Sequence, residues 1–116
     1  MMASTAAVRI FVRPGKTDFR NSINGLAALV EITMQLDPYS GSYFVFCNGS
    51  RTLLKILYWD WNGFALWYKR LEKDRFGWPK DAQAVREITA EEFDWLLRGL
   101  DFTKAHRATR FTTAIS

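Results

Sequence analysis

The chain is poor in the residues that carry most protein chemistry. It has one cysteine (Cys47), one histidine (His106) and three prolines in 116 residues. A single cysteine excludes a disulfide framework and a multi-cysteine zinc site. One Cys and one His would leave any transition metal to carboxylates alone, a poor donor set for it. A serine or cysteine nucleophile has no histidine base to use, because His106 falls in the C-terminal segment. No apolar run approaches the ~18 residues that span a bilayer. The first eight residues carry no basic stretch followed by an apolar one, so no secretory leader is expected. These absences predict a cytoplasmic protein with a reduced thiol. The glycine-rich phosphate loop is also missing. Gly15-Lys16-Thr17 resembles the end of one, but the upstream glycine is absent and Pro14 precedes it. Converging carboxylates for metal-assisted phosphoryl chemistry would have to come from Asp18, Asp60 and Glu72, of which Asp60 and Glu72 fall at opposite ends of one hairpin. The chain is therefore expected to have no catalytic residues, no metal, no cofactor and no small-molecule substrate.

What the chain does have is aromatic surface and an uneven charge. Aromatic residues make up 16% of it, with five tryptophans. Such rings serve both cores and contact surfaces. The net charge is +4. Residues 1–80 hold eleven Lys and Arg against six Asp and Glu, residues 81–101 hold two against six, and residues 102–116 hold three against none. A basic body, an acidic segment and a basic tail point to two different surfaces.

Hydrophobic patterning predicts a strand over 8–12, closed by the turn Arg13-Pro14-Gly15-Lys16. Ile23, Leu26, Ala27, Val30 and Met34 recur at helical spacing within a helix over 18–36. Gly25 inside it implies close approach to a strand. Strands follow over 42–47, 53–60 and 64–71. Asn62-Gly63 joins the last two as the hairpin turn, since both positions accept φ > 0. That turn sets Trp59 opposite Leu66 and Leu57 opposite Tyr68, and this face should pack on the helix. The other face would expose Tyr58, Trp67 and Lys69. A short edge strand over 84–88 and a second helix to Arg98 complete the chain. Thr89-Ala90-Glu91-Glu92 forms the capping box of that helix. The fold class is α+β: an antiparallel β-meander of four to five strands packed with two helices, in the order βαβββ(β)α. Residues 8–101 form one domain, between a flexible stretch over 1–7 and a mobile basic tail over 102–116.

The blocks Arg13-Pro14-Gly15-Lys16-Thr17-Asp18-Phe19-Arg20, Asn24-Gly25-Leu26-Ala27-Ala28-Leu29-Val30, Leu36-Asp37-Pro38 and Phe44-Val45-Phe46-Cys47-Asn48 occur in order. So do Leu53-Leu54-Lys55-Ile56-Leu57-Tyr58-Trp59-Asp60, Asn62-Gly63-Phe64-Ala65-Leu66-Trp67-Tyr68-Lys69-Arg70-Leu71-Glu72 and Phe76-Gly77-Trp78-Pro79. Together they resemble the small accessory protein, TnpB or Orf2, of the insertion-sequence sixty-six transposon family. This is not the RNA-guided nuclease that shares the TnpB name. The resemblance runs over about residues 8–101. It implies a bacterial mobile-element protein that assists a separate transposase, with no catalytic residues of its own. Gly49 and Trp61 depart from it, standing where the family often carries a base. Where those loops meet phosphates, the departure implies weaker binding.

On this reading Arg13, Arg20, Arg51, Lys55, Lys69 and Arg70 meet DNA phosphates, and Tyr58 or Trp67 stacks on bases. Glu91, Glu92, Asp94 and Trp95 of the second helix meet a protein partner such as the transposase. Trp95 is included because it lies off the Phe93, Leu96, Leu97, Leu100 stripe. Two rival readings fit the same residues. One is a protein adaptor whose aromatic hairpin docks a partner while the charges only solubilise. The other is a single-stranded nucleic-acid binder that works by stacking.

Overall fold

A computed structural model describes residues 8–80 and 84–102. Its elements are β1 (Ile10–Val12), α1 (Ile23–Ala28), β2 (Tyr43–Cys47), β3 (Leu53–Asp60), β4 (Gly63–Arg70), β5 (Arg86–Ile88) and α2 (Ala90–Leu97). Five strands form one sheet in the order β4-β3-β2-β1-β5. The α+β class and the element order are as expected. The sheet is mixed, since β1 and β2 are parallel and every other pair is antiparallel. Parallel neighbours need a crossover longer than a tight turn, and the segment carrying α1 supplies it.

The alternation of side chains sorts the core onto two faces. Phe11, Phe44, Phe46 and Leu57 point to one side and meet Leu26, Val30 and Met34 of the first helical segment. Ile10, Val12, Tyr43, Val45, Leu54 and Ile56 point to the other side and meet Phe93 and Leu96 of α2, with Phe76, Trp78, Ile88 and Phe102 completing that layer. The sheet is thus covered on both faces. Leu57 and Leu66 lie on the α1 side, as expected. The face expected to expose Tyr58, Trp67 and Lys69 is covered instead, with Tyr58 and Trp67 packed against the α2 core. Phe102, assigned from the sequence to the tail, is fully buried in that core. Residues 1–7, 81–83 and 103–116, the last being the rest of the predicted tail, lie outside the described residues.

The first helix is shorter than its periodicity predicts. The Asp18 carboxylate accepts the backbone N–H of Arg20, and such a local side-chain turn competes with helical bonding. Helical bonding begins where the N–H of Leu26 donates to the carbonyl of Ser22 at 2.9 Å. After Ala28 the helix widens into a π-helical turn over Leu29–Thr33. Gly25 is explained by its own helix entry, not by a strand: a Cβ there would lie 2.7 Å from the Asn21 Oδ1.

The β3–β4 hairpin turns one step earlier than expected. Asp60 pairs with Gly63, Trp59 with Phe64, Leu57 with Leu66 and Lys55 with Tyr68. Trp61, at φ +56°, takes the left-handed position, and the N–H of Asn62 donates back to the carbonyl of Asp60. The register therefore differs by two residues from the predicted one. Two is the period of a strand, so every side chain keeps its face.

Candidate nucleic-acid interface

Because β1 and β2 are parallel, their C-terminal ends open on the same edge of the sheet. Ligands of open α/β sheets bind at that kind of edge. Here three loops are drawn together on it. The N–H of Gly15 donates to the carbonyl of Pro79 at 2.9 Å, and the N–H of Thr17 donates to the carbonyl of Cys47 at 2.8 Å. The indole N–H of Trp78 donates to the carbonyl of Gly15 at 2.8 Å. Between the loops lies a cleft of about 280 Å³ whose wall includes Lys16, Asn48, Gly49, Arg51 and Lys80. It adjoins a second depression bounded by Lys16, Thr17, Asp18, Phe19, Asn48 and Gly49.

The loop after β2 is held by one side chain. The Asn48 Oδ1 accepts the N–H groups of Thr52 at 2.9 Å and Leu53 at 3.0 Å. This folds Arg51 into the left-handed region at φ +61°. The N–H of Phe76 donates to the carbonyl of Arg51 at 2.7 Å, fixing it from the other side. Beneath this loop the Cys47 thiol is buried, and burial pushes it up to about 12 despite the nearby Arg51 charge. It is a core residue.

The cations named from the sequence divide into two sets. Arg51 faces the cleft. Arg13 is close by, donating to the Lys16 carbonyl at 2.9 Å and to the Thr17 hydroxyl at 3.0 Å, which braces the first loop. Arg70 is exposed at the same end of the hairpin and pairs with Glu72. Arg20 is exposed and pairs with Asp18 at 2.7 Å. The Arg20 guanidinium holds the Asp18 carboxyl down to about 2. Lys55 and Lys69 spend their ammonium groups on backbone carbonyls. Lys55 donates to Phe19 at 3.0 Å, over the Phe19 ring, and Lys69 donates to Leu97 at 2.6 Å. Tyr58 and Trp67 are half-buried under α2, with Tyr58 against the Tyr43 ring.

Lys16 and Lys80 enter this edge without having been singled out as site residues. Together with Arg51 they have no carboxylate partner among the described residues. Lys16 had a signal in the basic set Arg9, Arg13, Lys16 and Arg20 about the first strand and the helix start. Lys80 had none, because the long-range bond from Trp78 to Gly15 brings it in.

The residues assigned to a protein partner are also divided. The Thr89 hydroxyl accepts the N–H of Glu92 and the Glu92 carboxylate accepts the N–H of Thr89, so the capping box is formed. Glu92 is accordingly 6% exposed. Trp95 is half-buried against the α2 core, whereas Leu100 of the predicted stripe is exposed. Glu91 and Asp94 are on the surface, Asp94 paired with Arg98. A separate aromatic group lies near the hairpin tip, where the Tyr39, Trp59 and Phe64 rings sit 5.1–5.2 Å apart. Beside them Trp61 is 88% exposed.

Among the described residues, no group of three or more His, Cys, Asp or Glu side chains could hold a metal ion, and no helix is long and apolar enough to cross a membrane. The chain is similar to two uncharacterized proteins of Sinorhizobium fredii. One, y4jC, is 37% identical over 107 residues, covering 92% of each chain. The other, y4hO, is 34% identical over 112 residues, covering 97% of each chain. No solved structure matches it. The model of the family described as IS66 Orf2 like protein matches residues 8–107, and the chain thus belongs to that family of insertion-sequence accessory proteins.

Proposed function

We propose that the chain is a non-catalytic cytoplasmic accessory protein of transposition that contacts DNA with the basic edge of its sheet while the transposase performs the chemistry. Membership of the family over residues 8–107 carries the process. The DNA contact is supported by the gathering of Arg13, Lys16, Arg51, Arg70 and Lys80 around the loops that follow β1, β2 and β4 and precede β5. Cations on one edge bind phosphates by releasing counterions, with little regard to sequence. Arg20 extends that edge. Lys55 and Lys69 serve the fold through their bonds to the Phe19 and Leu97 carbonyls, and Tyr58 and Trp67 serve packing more than stacking.

The adaptor reading is favoured by one separate observation, the exposed indole of Trp61 beside the Tyr39–Trp59–Phe64 group. Exposed aromatics of this kind anchor protein contacts. Glu91 and Asp94 would then offer a second, acidic surface to the transposase. Salt distinguishes the two readings. Anisotropy of labelled duplex and single-stranded DNA with the full chain at two salt concentrations should show binding that weakens steeply with salt. Absence of binding at low salt would sink the DNA contact and favour the adaptor.

A further inference from the structure

The DNA reading leaves open which group on the basic edge meets the phosphate. Four features of the cleft answer together. First, Lys16, Arg51 and Lys80 converge on one depression from three different loops. Second, none of the three has a carboxylate partner among the described residues, while Arg20 and Arg70 on the same side of the molecule each have one. Third, Arg51 is held at φ +61°, a conformation that glycine takes freely and a long side chain does not. The bonds of Asn48 and Phe76 keep it there. A non-glycine residue retained in such a conformation is a common mark of a working site. Fourth, the one aromatic residue lining the cleft is Trp78, which is buried and already bonded through its indole N–H to Gly15. The cleft offers no free ring for a base. At about 280 Å³, it lies just below the size of drug-sized ligand pockets.

We infer that this cleft, at the carboxyl ends of β1 and β2, is a phosphodiester-binding site in which Lys16, Arg51 and Lys80 grip the backbone of DNA. The inference rests on the DNA reading above and names its contact point. A Cβ at Gly49 would meet only the Lys16 stem, at 3.7 Å, so this part of the cleft wall has room to spare.

The test uses the full chain and labelled duplex DNA across a salt series. The double variant Lys16→Ala/Arg51→Gly removes two cleft cations. The glycine suits the left-handed backbone, so the fold should survive, and a thermal melt checks it. The control Arg9→Ala/Arg98→Ala removes the same charge from two exposed ion pairs that do not line the cleft. The cleft variant should bind more weakly, with its log–log salt slope shallower by about 2, and the control should follow the unaltered protein. Equal effects of the two variants would overturn the cleft while leaving a diffuse DNA contact standing. No binding by the unaltered protein would overturn both. Inorganic phosphate and dAMP serve as competitors. Displacement no greater than their ionic strength explains supports the polymer backbone as the ligand. Saturable displacement by either would make this a free-anion site and overturn the DNA assignment.

Discussion

The ammonium of Lys69 lies 2.6 Å from the carbonyl oxygen of Leu97 and so ties β4 to the last turn of α2. Helix ends leave carbonyls without partners, and a cation there satisfies both the hydrogen bond and the macrodipole. Lys69→Met should therefore lower stability by about 1–2 kcal/mol. In urea the midpoint falls and the slope holds. DNA affinity should stay the same once the variant is folded. A fully stable variant with weakened DNA binding would return Lys69 to the DNA surface.

Gly77 is fixed by space. A Cβ there would lie 2.4 Å from the Asp101 Cα, and backbone cannot step aside. Gly77→Ala should cost about 1–3 kcal/mol, the range of overpacked cores. A thermal melt reads it as a lowered midpoint. An unchanged midpoint would show that the segment after α2 does not hold its place against the 76–80 loop.

These two contacts also mark where sequence reasoning reached and where it stopped. Local chemistry was legible. The Thr89–Glu92 capping box is formed, and the Leu57 and Leu66 face packs on α1. Contacts distant in sequence were not. Nothing in the order of elements says that β1 pairs in parallel with β2. Nothing in Phe76-Gly77-Trp78-Pro79 says that Trp78 reaches back to Gly15. The cleft depends on both, so its cations appeared in the sequence as scattered charge. The hairpin shows a subtler limit. Asn62-Gly63 is the favoured turn pair on propensity, yet the chain turns about Trp61 and starts β4 at Gly63.

Burial of Cys47 predicts an unreactive thiol. Its fully buried side chain is pushed up to about 12, so the neutral form prevails at ordinary pH. The thiolate is the nucleophile. A disulfide reagent at pH 8 should label the chain only after denaturant is added. Linkage gives the accompanying pH effect. The native pKa is raised, so this contribution to stability is complete below the unfolded value near 9 and is lost as pH climbs toward 12. Cys47→Ala should flatten that alkaline limb. Rapid labelling under native conditions would refute the burial.

Asp18 carries the opposite sign. Its hydrogen bonds to Arg20 lower it to about 2 from an ordinary value of 3.8. The contribution is present above the unfolded value and is lost as pH falls toward 2. Both groups are exposed, so screening keeps the effect small. Melting points of Asp18→Asn and the unaltered chain should differ at neutral pH and converge as pH falls from about 4 to about 2. A constant gap would place the role of Asp18 in its turn geometry and not in its charge.

Trp61 combines a left-handed backbone with an almost free side chain, at φ +56° and 88% exposed. For a bulky residue that conformation costs about 1–2 kcal/mol. So exposed a ring recovers little of this by packing. Trp61→Asn suits the turn better, since asparagine tolerates the left-handed region, and should raise stability by about 1 kcal/mol. Denaturant unfolding measures the gain, and transposase pull-down by the purified chain supplies the second readout. A more stable variant that still captures transposase would make the indole incidental. A more stable variant that loses the transposase would identify Trp61 as a docking anchor, kept at the expense of stability, and would move the adaptor reading ahead of DNA. A less stable variant would mean that Trp61 packs on the neighbouring Tyr39–Trp59–Phe64 rings more closely than its exposure indicates.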